Sequence, residues 1–346
     1  MTRATWLRIH RVLGLAMAAF LLVQALTGAL LLYRGPVARM IDPVGMTSRA
    51  TGRAYSAGRA VEQAGHAMPG YHVTRLFAPD AQDATWFAQL SDDSGRTRYA
   101  SVDPTGGRVL RAGRLVHFPV EAALQIHYRL IAGKAGMTIV ALNALALLTM
   151  AVSGLAFWWP KRNPGKALAI RWTLSPRLVL RQVHRTIGVV AAALLALLAV
   201  TGLMLVLPES VGNDATAAPI AAPATAIDRS LTLAQSAFPN KSLRDVRIDG
   251  DRLIVNFHAP ERNSRAVHRA IVTLRLPHII SAVRAEQNGA LWMIVLPVHS
   301  GEAIGPAGPA LLLIVALALA TLALSGPVMW WQAAARRRRP ARKITA

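Results

Sequence analysis

Residues 10–14 read HRVLG, and residues 184–188 read HRTIG, 174 positions further along the chain. A second pair of segments recurs 172 positions apart, SGLAFWW at residues 153–159 and SGPVMWW at residues 325–331. Each of the four segments belongs to a long apolar run. The sequence therefore predicts a pair of membrane helices that occurs twice in one chain.

Four apolar stretches are long enough to cross a bilayer, because a hydrocarbon core of about 30 Å needs roughly 20 apolar residues in a helix. The apolar content of 53% and the mean hydropathy of +0.35 fit a membrane protein. The first stretch is longer than the apolar core of a signal peptide, so we expect it to be retained. The expected spans are Val12–Tyr33, Met137–Trp159, Ile187–Leu207 and Ala307–Trp331.

The basic residues indicate how the chain is oriented in the membrane. The formal net charge is +22, which in a soluble protein would suggest nucleic acid as a partner. Here the basic residues concentrate at the amino terminus, between the second and third spans, and at the carboxy terminus. These three regions share one side of a four-span protein, and the positive-inside rule places that side in the cytoplasm. We expect a bacterial inner-membrane protein with cytoplasmic termini, lipid contacts and no nucleic-acid partner.

The predicted fold class is a mainly α membrane protein, a four-transmembrane-helix bundle built from a duplicated helix pair, with two small α+β domains outside the membrane. The membrane segments and the segments between them alternate along the chain. The predicted boundaries are 1–34 (first span), 35–126 (first outer domain), 127–160 (second span), 161–183 (basic loop), 184–208 (third span), 209–298 (second outer domain), 299–332 (fourth span) and 333–346 (basic tail).

Each outer domain is predicted to pack one helix on an antiparallel sheet, and at this size the domains depend on each other or on the membrane. The first has a helix at Ser56–His66 and strands at Tyr71–Phe77, Thr85–Leu90, Thr97–Val102 and Arg108–Leu110. The second has a linker at Ala215–Ala226, a helix at Ser230–Phe238 and strands at Leu243–Ile248, Arg252–His258 and Val267–Leu274. Neither contains a nucleophile elbow, phosphate loop or dinucleotide fingerprint.

Four histidines of the repeats form two pairs in this topology. His10 and His184 lie near the predicted inner face, and His127 and His299 lie near the outer face. A bis-histidine b-type haem needs two neutral imidazoles on facing helices, one on each side of the iron. The chain has no cysteine, which excludes thiolate ligands and covalently attached c-type haem. We expect two haems b, with these four histidines as axial ligands of the iron.

Neighbouring residues are candidates for holding the porphyrin. Gly14 and Gly188 each follow a histidine by four positions and so share its helix face, where we expect a notch for the macrocycle. Arg11 and Arg185 are expected to pair with haem propionates, because the guanidinium fork fits a carboxylate. Both glycines are also compatible with simple helix packing.

The outer pair has one competing ligand. His117 lies ten residues before His127 and is a reserve ligand for the outer iron. It ranks second because the position that matches it in the second half is Gly289. A single histidine at a membrane boundary is more often an interfacial side chain than a ligand, and only the fourfold recurrence favours ligation here.

Several motifs resemble the PepSY-associated transmembrane proteins, a family that includes iron-regulated inner-membrane proteins and ferric-siderophore reductases. The motifs are RIHRVLG at 8–14, LTG at 26–28, His127 ahead of Gly133 and Gly136, SGLAFWWP at 153–160 and the hairpin YASVDPTGG at 99–107. The resemblance implies four spans, two periplasmic PepSY-like domains, b-type haem and electron transfer to siderophore-bound iron. The chain departs from it in the second outer domain, where TLRLP at 273–277 replaces the Asp-Pro-x-x-Gly hairpin.

The expected function is therefore that of a di-haem b oxidoreductase that passes electrons to a periplasmic acceptor, first of all a ferric siderophore. The chain shows no flavin or nicotinamide domain, so the donor would be a separate cytoplasmic reductase or a membrane quinol. Three alternatives stay open: a non-redox, membrane-anchored PepSY protein for binding or regulation, a haem subunit of another periplasmic oxidoreductase, and a transporter. The spans contain no acidic residue and no broken helix, which disfavours the transporter.

Overall fold

The computed structural model describes residues 2–41, 56–80, 84–159, 164–211 and 222–337. The chain divides into two compact units. The first comprises Met1–Leu32, Gln125–Val211 and His299–Ala346, and the second comprises Tyr33–Leu124 and Gly212–Val298. Parts of the predicted basic loop, linker and basic tail, namely residues 160–163, 212–221 and 338–346, lie outside the described residues.

The described residues form ten α-helices and eight strands. The helices are α1 (Arg3–Leu32), α2 (Arg34–Ile41), α3 (Ala57–His66), α4 (Pro119–Arg129), α5 (Gly133–Trp158), α6 (Pro164–Leu168), α7 (Pro176–Val211), α8 (Ala224–Ala237), α9 (Trp292–His299) and α10 (Ala307–Arg337). The strands are β1 (His72–Phe77), β2 (Trp86–Ser91), β3 (Thr97–Val102), β4 (Val109–Gly113), β5 (Leu243–Asp249), β6 (Arg252–His258), β7 (Val267–Thr273) and β8 (Ile279–Val283). Short 3₁₀ turns occur at Leu115–His117, Ala285–Gln287 and Glu302–Ile304.

Four helices of the first unit, α1, α5, α7 and α10, are long and apolar enough to cross a membrane. Their shared core is made of leucine, alanine and valine side chains. Large apolar side chains also face outward, and Val12, Val190 and Ile314 are 56%, 70% and 65% exposed. Such a surface requires lipid around it. The expected mainly helical membrane protein with four spans is confirmed.

The predicted segments 127–160 and 299–332 each contain a short helix followed by a long one. The long helices start at Gly133 and Ala307, close to the expected apolar spans from Met137 and Ala307. His127 lies near the end of the short helix α4, and His299 is the last residue of the short helix α9. Each outer histidine therefore belongs to a separate helical segment that precedes a span.

A tight reversal separates α4 from α5. Leu130 and Ile131 adopt left-handed backbone angles, with φ of 50° and 56°, which interrupt the helix. A Cβ at Gly136 would overlap the carbonyl oxygen of Arg129, so this close approach requires glycine. In the second half, a Cβ at Gly308 would overlap the carbonyl of Gly301 in the same way. Because Leu130 and Ile131 are apolar, the hydrophobic pattern continues across the break and does not predict it.

The second unit contains one eight-stranded antiparallel sheet with the order β4-β3-β2-β1-β5-β6-β7-β8. Strands β1 and β5 pair at its centre, with Leu76 opposite Val246. The expectation of two separate outer domains is therefore corrected, because β1–β4 and β5–β8 share a sheet. The edge strand of each half carries unpaired backbone groups, and joining the two edges satisfies them.

The same order of elements occurs in both halves of the second unit: a helix, four strands, a 3₁₀ turn and a short helix. Helices α3 and α8 supply apolar side chains to the core on one face of the sheet, where Leu76, Ile227 and Phe257 are fully buried. The two helices are joined by Asp228 of α8. Its carboxylate accepts hydrogen bonds from Ser56 Oγ at 2.7 Å and from the Gly58 amide at 2.8 Å.

Candidate functional site

The structure brings the four repeated histidines together in two pairs within the first unit. The ring centroids of His10 and His184 are 6.4 Å apart, and their planes are at 89°. The ring centroids of His127 and His299 are also 6.4 Å apart, with planes at 54°. Each pair takes one histidine from the first half of the sequence and one from the second.

The spacing of the rings leaves room for one metal ion between them. A bond from imidazole nitrogen to metal is about 2 Å long, and each ring centre lies roughly 1 Å behind its nitrogen. Two such bonds along one line separate the ring centres by about 6 Å, close to the observed distance. Both pairs therefore have the separation of two axial ligands on opposite sides of one iron.

Each of the four rings is held through Nδ1 by a helix other than its own. Serine or threonine hydroxyls are the partners in all four cases. The contacts are His10 Nδ1 with Ser153 Oγ at 3.3 Å and with the Met150 carbonyl at 3.0 Å, His184 with Ser325 Oγ at 2.7 Å, His127 with Thr27 Oγ1 at 3.0 Å, and His299 with Thr201 Oγ1 at 2.9 Å.

These contacts assign the tautomer of the rings. The Thr27 hydroxyl donates its proton to the Val23 carbonyl at 2.7 Å, so it accepts from His127 Nδ1–H. The hydroxyls of Thr201 and Ser325 likewise donate to backbone carbonyls at 2.7 and 2.6 Å. His10 meets a carbonyl, which only accepts. All four imidazoles thus carry hydrogen on Nδ1, and the lone pair of Nε2 is available to a metal.

A glycine follows each of these hydroxyl residues, and the histidine ring packs against it. A Cβ at Gly28 would lie 3.1 Å from His127 Cε1, and one at Gly202 would lie 3.2 Å from His299 Cε1. The distance is 3.3 Å from Gly154 to His10 and 3.8 Å from Gly326 to His184. Each histidine therefore contacts a serine–glycine or threonine–glycine dipeptide, whose hydroxyl bonds Nδ1 and whose glycine leaves space for the ring.

The other residues predicted around the inner pair lie against neighbouring helices or at the surface. Gly14 and Gly188 face neighbouring helices, where a Cβ would lie 3.3 Å from Met150 Cε and 3.6 Å from Leu322 Cδ2. Arg11 is exposed. Arg185 donates from Nη2 to the Ala169 carbonyl at 3.3 Å, and its buried Nε has no hydrogen-bond partner among the described residues. Their predicted roles toward haem stay predictions.

The reserve ligand His117 lies in the second unit, at the end of a 3₁₀ turn, and is exposed. Its ring packs on Gly113, where a Cβ would overlap Nδ1. Its carbonyl accepts a hydrogen bond from Arg111 Nη1 at 2.9 Å. The ring that faces His299 is that of His127.

The donor set fits haem better than a bare metal ion. No group of three or more metal-ligating side chains occurs in the described part of the chain. Two imidazoles alone leave most positions of a transition metal unfilled, whereas a porphyrin supplies four nitrogens and needs two axial ligands. The paired rings, their fixed tautomer and the absence of cysteine all suit non-covalent b-type haem.

The residues that sequence reasoning missed are the hydroxyl partners of the histidines. Their signal was visible, because Thr27-Gly28 recurs as Thr201-Gly202 and Ser153-Gly154 recurs as Ser325-Gly326. The repeat marked these dipeptides without indicating which side chain they meet. Only the packing of the helices links each dipeptide to a histidine about 100 or 140 positions away.

A comparison with protein families finds a match to the model of the PepSY-associated TM region, which covers residues 7–333. The match includes all four histidines and all four hydroxyl–glycine pairs. No curated protein matches the chain.

Proposed function

Because the chain belongs to the family of PepSY-associated transmembrane proteins, we propose that it transfers electrons across the bacterial inner membrane with two bis-histidine haems b. The observation that carries the proposal is the recurrence of one arrangement at two sites. In both, imidazoles from the two halves face each other at 6.4 Å with Nε2 available. An ionisable or metal-ligating side chain within a membrane bundle usually serves a function.

The side chains at both sites would bind and orient the cofactor. His10 and His184 would hold the inner iron, and His127 and His299 would hold the outer iron. The serine and threonine hydroxyls accept from Nδ1–H and fix the ring planes, so the lone pair of the neutral imidazole is on Nε2, and they raise the basicity of that nitrogen. When bound, haem b supplies reversible one-electron oxidation and reduction of its iron.

Charged residues at the inner end would complete that site. Arg185 follows His184 directly and has a buried Nε without a partner among the described residues. Arg11 stands in the same relation to His10. We assign both to the propionates of the inner haem, because two carboxylates at a membrane boundary require cationic partners.

The orientation follows from the basic segments. Positively charged residues flank the ends of the spans that lie near His10 and His184, so these ends face the cytoplasm by the positive-inside rule. The donor would be a separate cytoplasmic reductase or a membrane quinol. The substrate at the periplasmic side would be Fe(III) in a siderophore, whose hard oxygen ligands hold Fe(III) more tightly than Fe(II).

The test is the haem content of the purified full-length protein. We expect two low-spin haems per chain in a reduced-minus-oxidised spectrum. His10→Ala or His184→Ala should remove the inner haem, and His127→Ala or His299→Ala the outer one. His66→Ala, an exposed histidine of the second unit, is the matched control and should retain both.

Electron paramagnetic resonance distinguishes the two sites. The angle between the two imidazole planes sets the splitting of the iron d orbitals. This angle is 89° at the inner pair and 54° at the outer pair. Two separate ferric signals are therefore expected, and each variant should lose one. A preparation without a Soret band would refute the proposal and favour a non-redox PepSY protein. Loss of the outer haem in His117→Ala, with retention in His127→Ala, would overturn the outer assignment.

A further inference from the structure

An arginine cluster lies at the centre of the eight-stranded sheet, where the two halves of the second unit meet. Asp245 of β5 is fully buried and accepts hydrogen bonds through Oδ1 from Arg75 Nε at 3.0 Å and Asn256 Nδ2 at 3.1 Å. Arg269 Nε donates to Asn256 Oδ1 at 3.3 Å. Arg244 Nε lies 3.7 Å from Asp245 Oδ2. Two guanidinium groups, those of Arg75 and Arg244, thus lie beside this carboxylate, and that of Arg269 is linked to it through Asn256.

The cluster contains one buried donor and one buried acceptor without a hydrogen-bond partner among the described residues. The donor is Nη1 of Arg244, and the acceptor is Oδ2 of Asp245, which lies 3.7 Å from Arg244 Nε. Burial lowers the pKa of Arg244, and Arg75, Arg265 and Arg269 lower it further, against the opposite effect of Asp245. An excess of buried positive charge is costly unless an anion compensates it.

Aromatic rings hold two of these guanidinium groups flat. Arg244 lies over the ring of Trp292 at 4.9 Å, and Arg75 lies over the ring of Phe77 at 4.4 Å. Stacking fixes the plane of a guanidinium and leaves its edge free for a bidentate bond to an oxygen anion. The side chains of Arg75 and Arg244 remain 26% and 20% exposed, so a small ligand can reach them.

The fold alone does not require these residues. Arg244 is the extra residue of a β-bulge between Leu243 and Asp245, and β1 has a bulge at the equivalent position, occupied by Thr74. The other positions of the cluster also differ between the halves. Asp245, Asn256 and Arg269 correspond to Arg75, Gln89 and Tyr99 in the register of the strands. The first half forms the same strands without the cluster, and bulges commonly redirect side chains at functional sites.

We propose that this cluster binds a ferric chelate with free carboxylates, the anionic iron substrate of the protein. The inference rests on the proposed function, which supplies the iron chelate as acceptor.

Calorimetry of the full-length protein with gallium(III) citrate tests the proposal, because this analogue of ferric citrate accepts no electrons. We expect wild-type protein to bind it and Arg244→Thr to bind at least about tenfold more weakly, since a charge-assisted hydrogen bond is lost. Threonine is the residue of the matching bulge in the first half, so this variant retains a tolerated strand geometry. Arg275→Thr removes the same charge from an exposed site, 79% exposed, and should bind within about twofold of wild type.

Arg269→Tyr is the second variant, because tyrosine is the residue at the matching position of the first half. If Arg244→Thr does not unfold cooperatively, the binding measured for Arg269→Tyr decides the outcome. Absence of binding to wild type, or equal loss in Arg275→Thr, overturns the proposal. Displacement of gallium citrate by glycerol phosphate at a lower concentration also overturns the proposal, because that result would identify a lipid headgroup site. Haem spectra are recorded on the same samples. Absent haem with intact citrate binding refutes the electron-transfer function, whereas intact haem without citrate binding refutes only the cluster's role.

Discussion

At the scale of single residues, the site depends on small differences in the space beside each histidine. The four glycines occupy equivalent positions, but a Cβ would meet the ring at distances from 3.1 Å at Gly28 to 3.8 Å at Gly326. The first distance requires the ring to shift by a few tenths of an ångström, whereas the second is an ordinary van der Waals contact. The same substitution therefore has different consequences at the two sites.

We predict that Gly28→Ala disturbs the outer haem and that Gly326→Ala leaves the inner haem intact. Both changes favour the helix by up to about 1 kcal/mol, so a loss of function would not come from unfolding of the span. At Gly28 the added methyl group displaces His127 from its bond with Thr27, and loss of such a partner costs about 10–100-fold in affinity. Haem content and the two resonance signals measure the result. Equal effects of the two variants would contradict the assigned contacts between these glycines and the histidine rings.

The histidines illustrate what can be predicted from sequence at this scale. The repeats and the topology predicted which of them lie together, and the described side chains do lie in those pairs. Ligation of iron stays a prediction. Gly14 and Gly188 were predicted to hold a porphyrin because they share a helix face with a histidine, and in the structure they face Met150 and Leu322. Spacing along one helix cannot indicate which neighbouring helix a side chain will meet.

At the scale of elements, the short helices α4 and α9 present the outer histidines, and a sharp reversal follows each of them. Gly136→Ala is predicted to open the reversal after α4, because the new Cβ overlaps the Arg129 carbonyl. We expect most of the outer haem to be lost while the inner haem remains. Gly289→Ala is the control, since a Cβ there meets nothing within 4 Å. Retention of both haems in Gly136→Ala would show that the reversal does not position His127.

Most strands were predicted within two residues, because alternating side chains and glycine-rich turns mark their ends. β8 was missed, and α8 begins at Ala224, inside the predicted linker. The alanine, proline and threonine residues before α8 suggested a flexible segment, and the strand Ile279–Val283 is short. The pairing of β1 with β5 joins residues about 170 positions apart, which no local pattern reveals.

At the scale of the whole molecule, the two halves of the second unit share a core and a cross-link between α3 and α8. Asp228→Ala removes the carboxylate that binds Ser56 and the Gly58 amide. We predict a loss of about 1–3 kcal/mol in the free energy of unfolding, because two donors near a helix start lose their acceptor. Thermal unfolding should show a lower midpoint and still one transition for this unit. Asp93→Ala, which removes an exposed carboxylate of the same unit, should change the midpoint little.

Neither half of the sequence contains both histidines of a pair. His10 and His127 lie in the first half, and their counterparts His184 and His299 lie in the second. A polypeptide of half this length would have had to associate with its own copy before either site existed. In this chain the two halves are covalently linked, so formation of both histidine pairs does not depend on protein concentration.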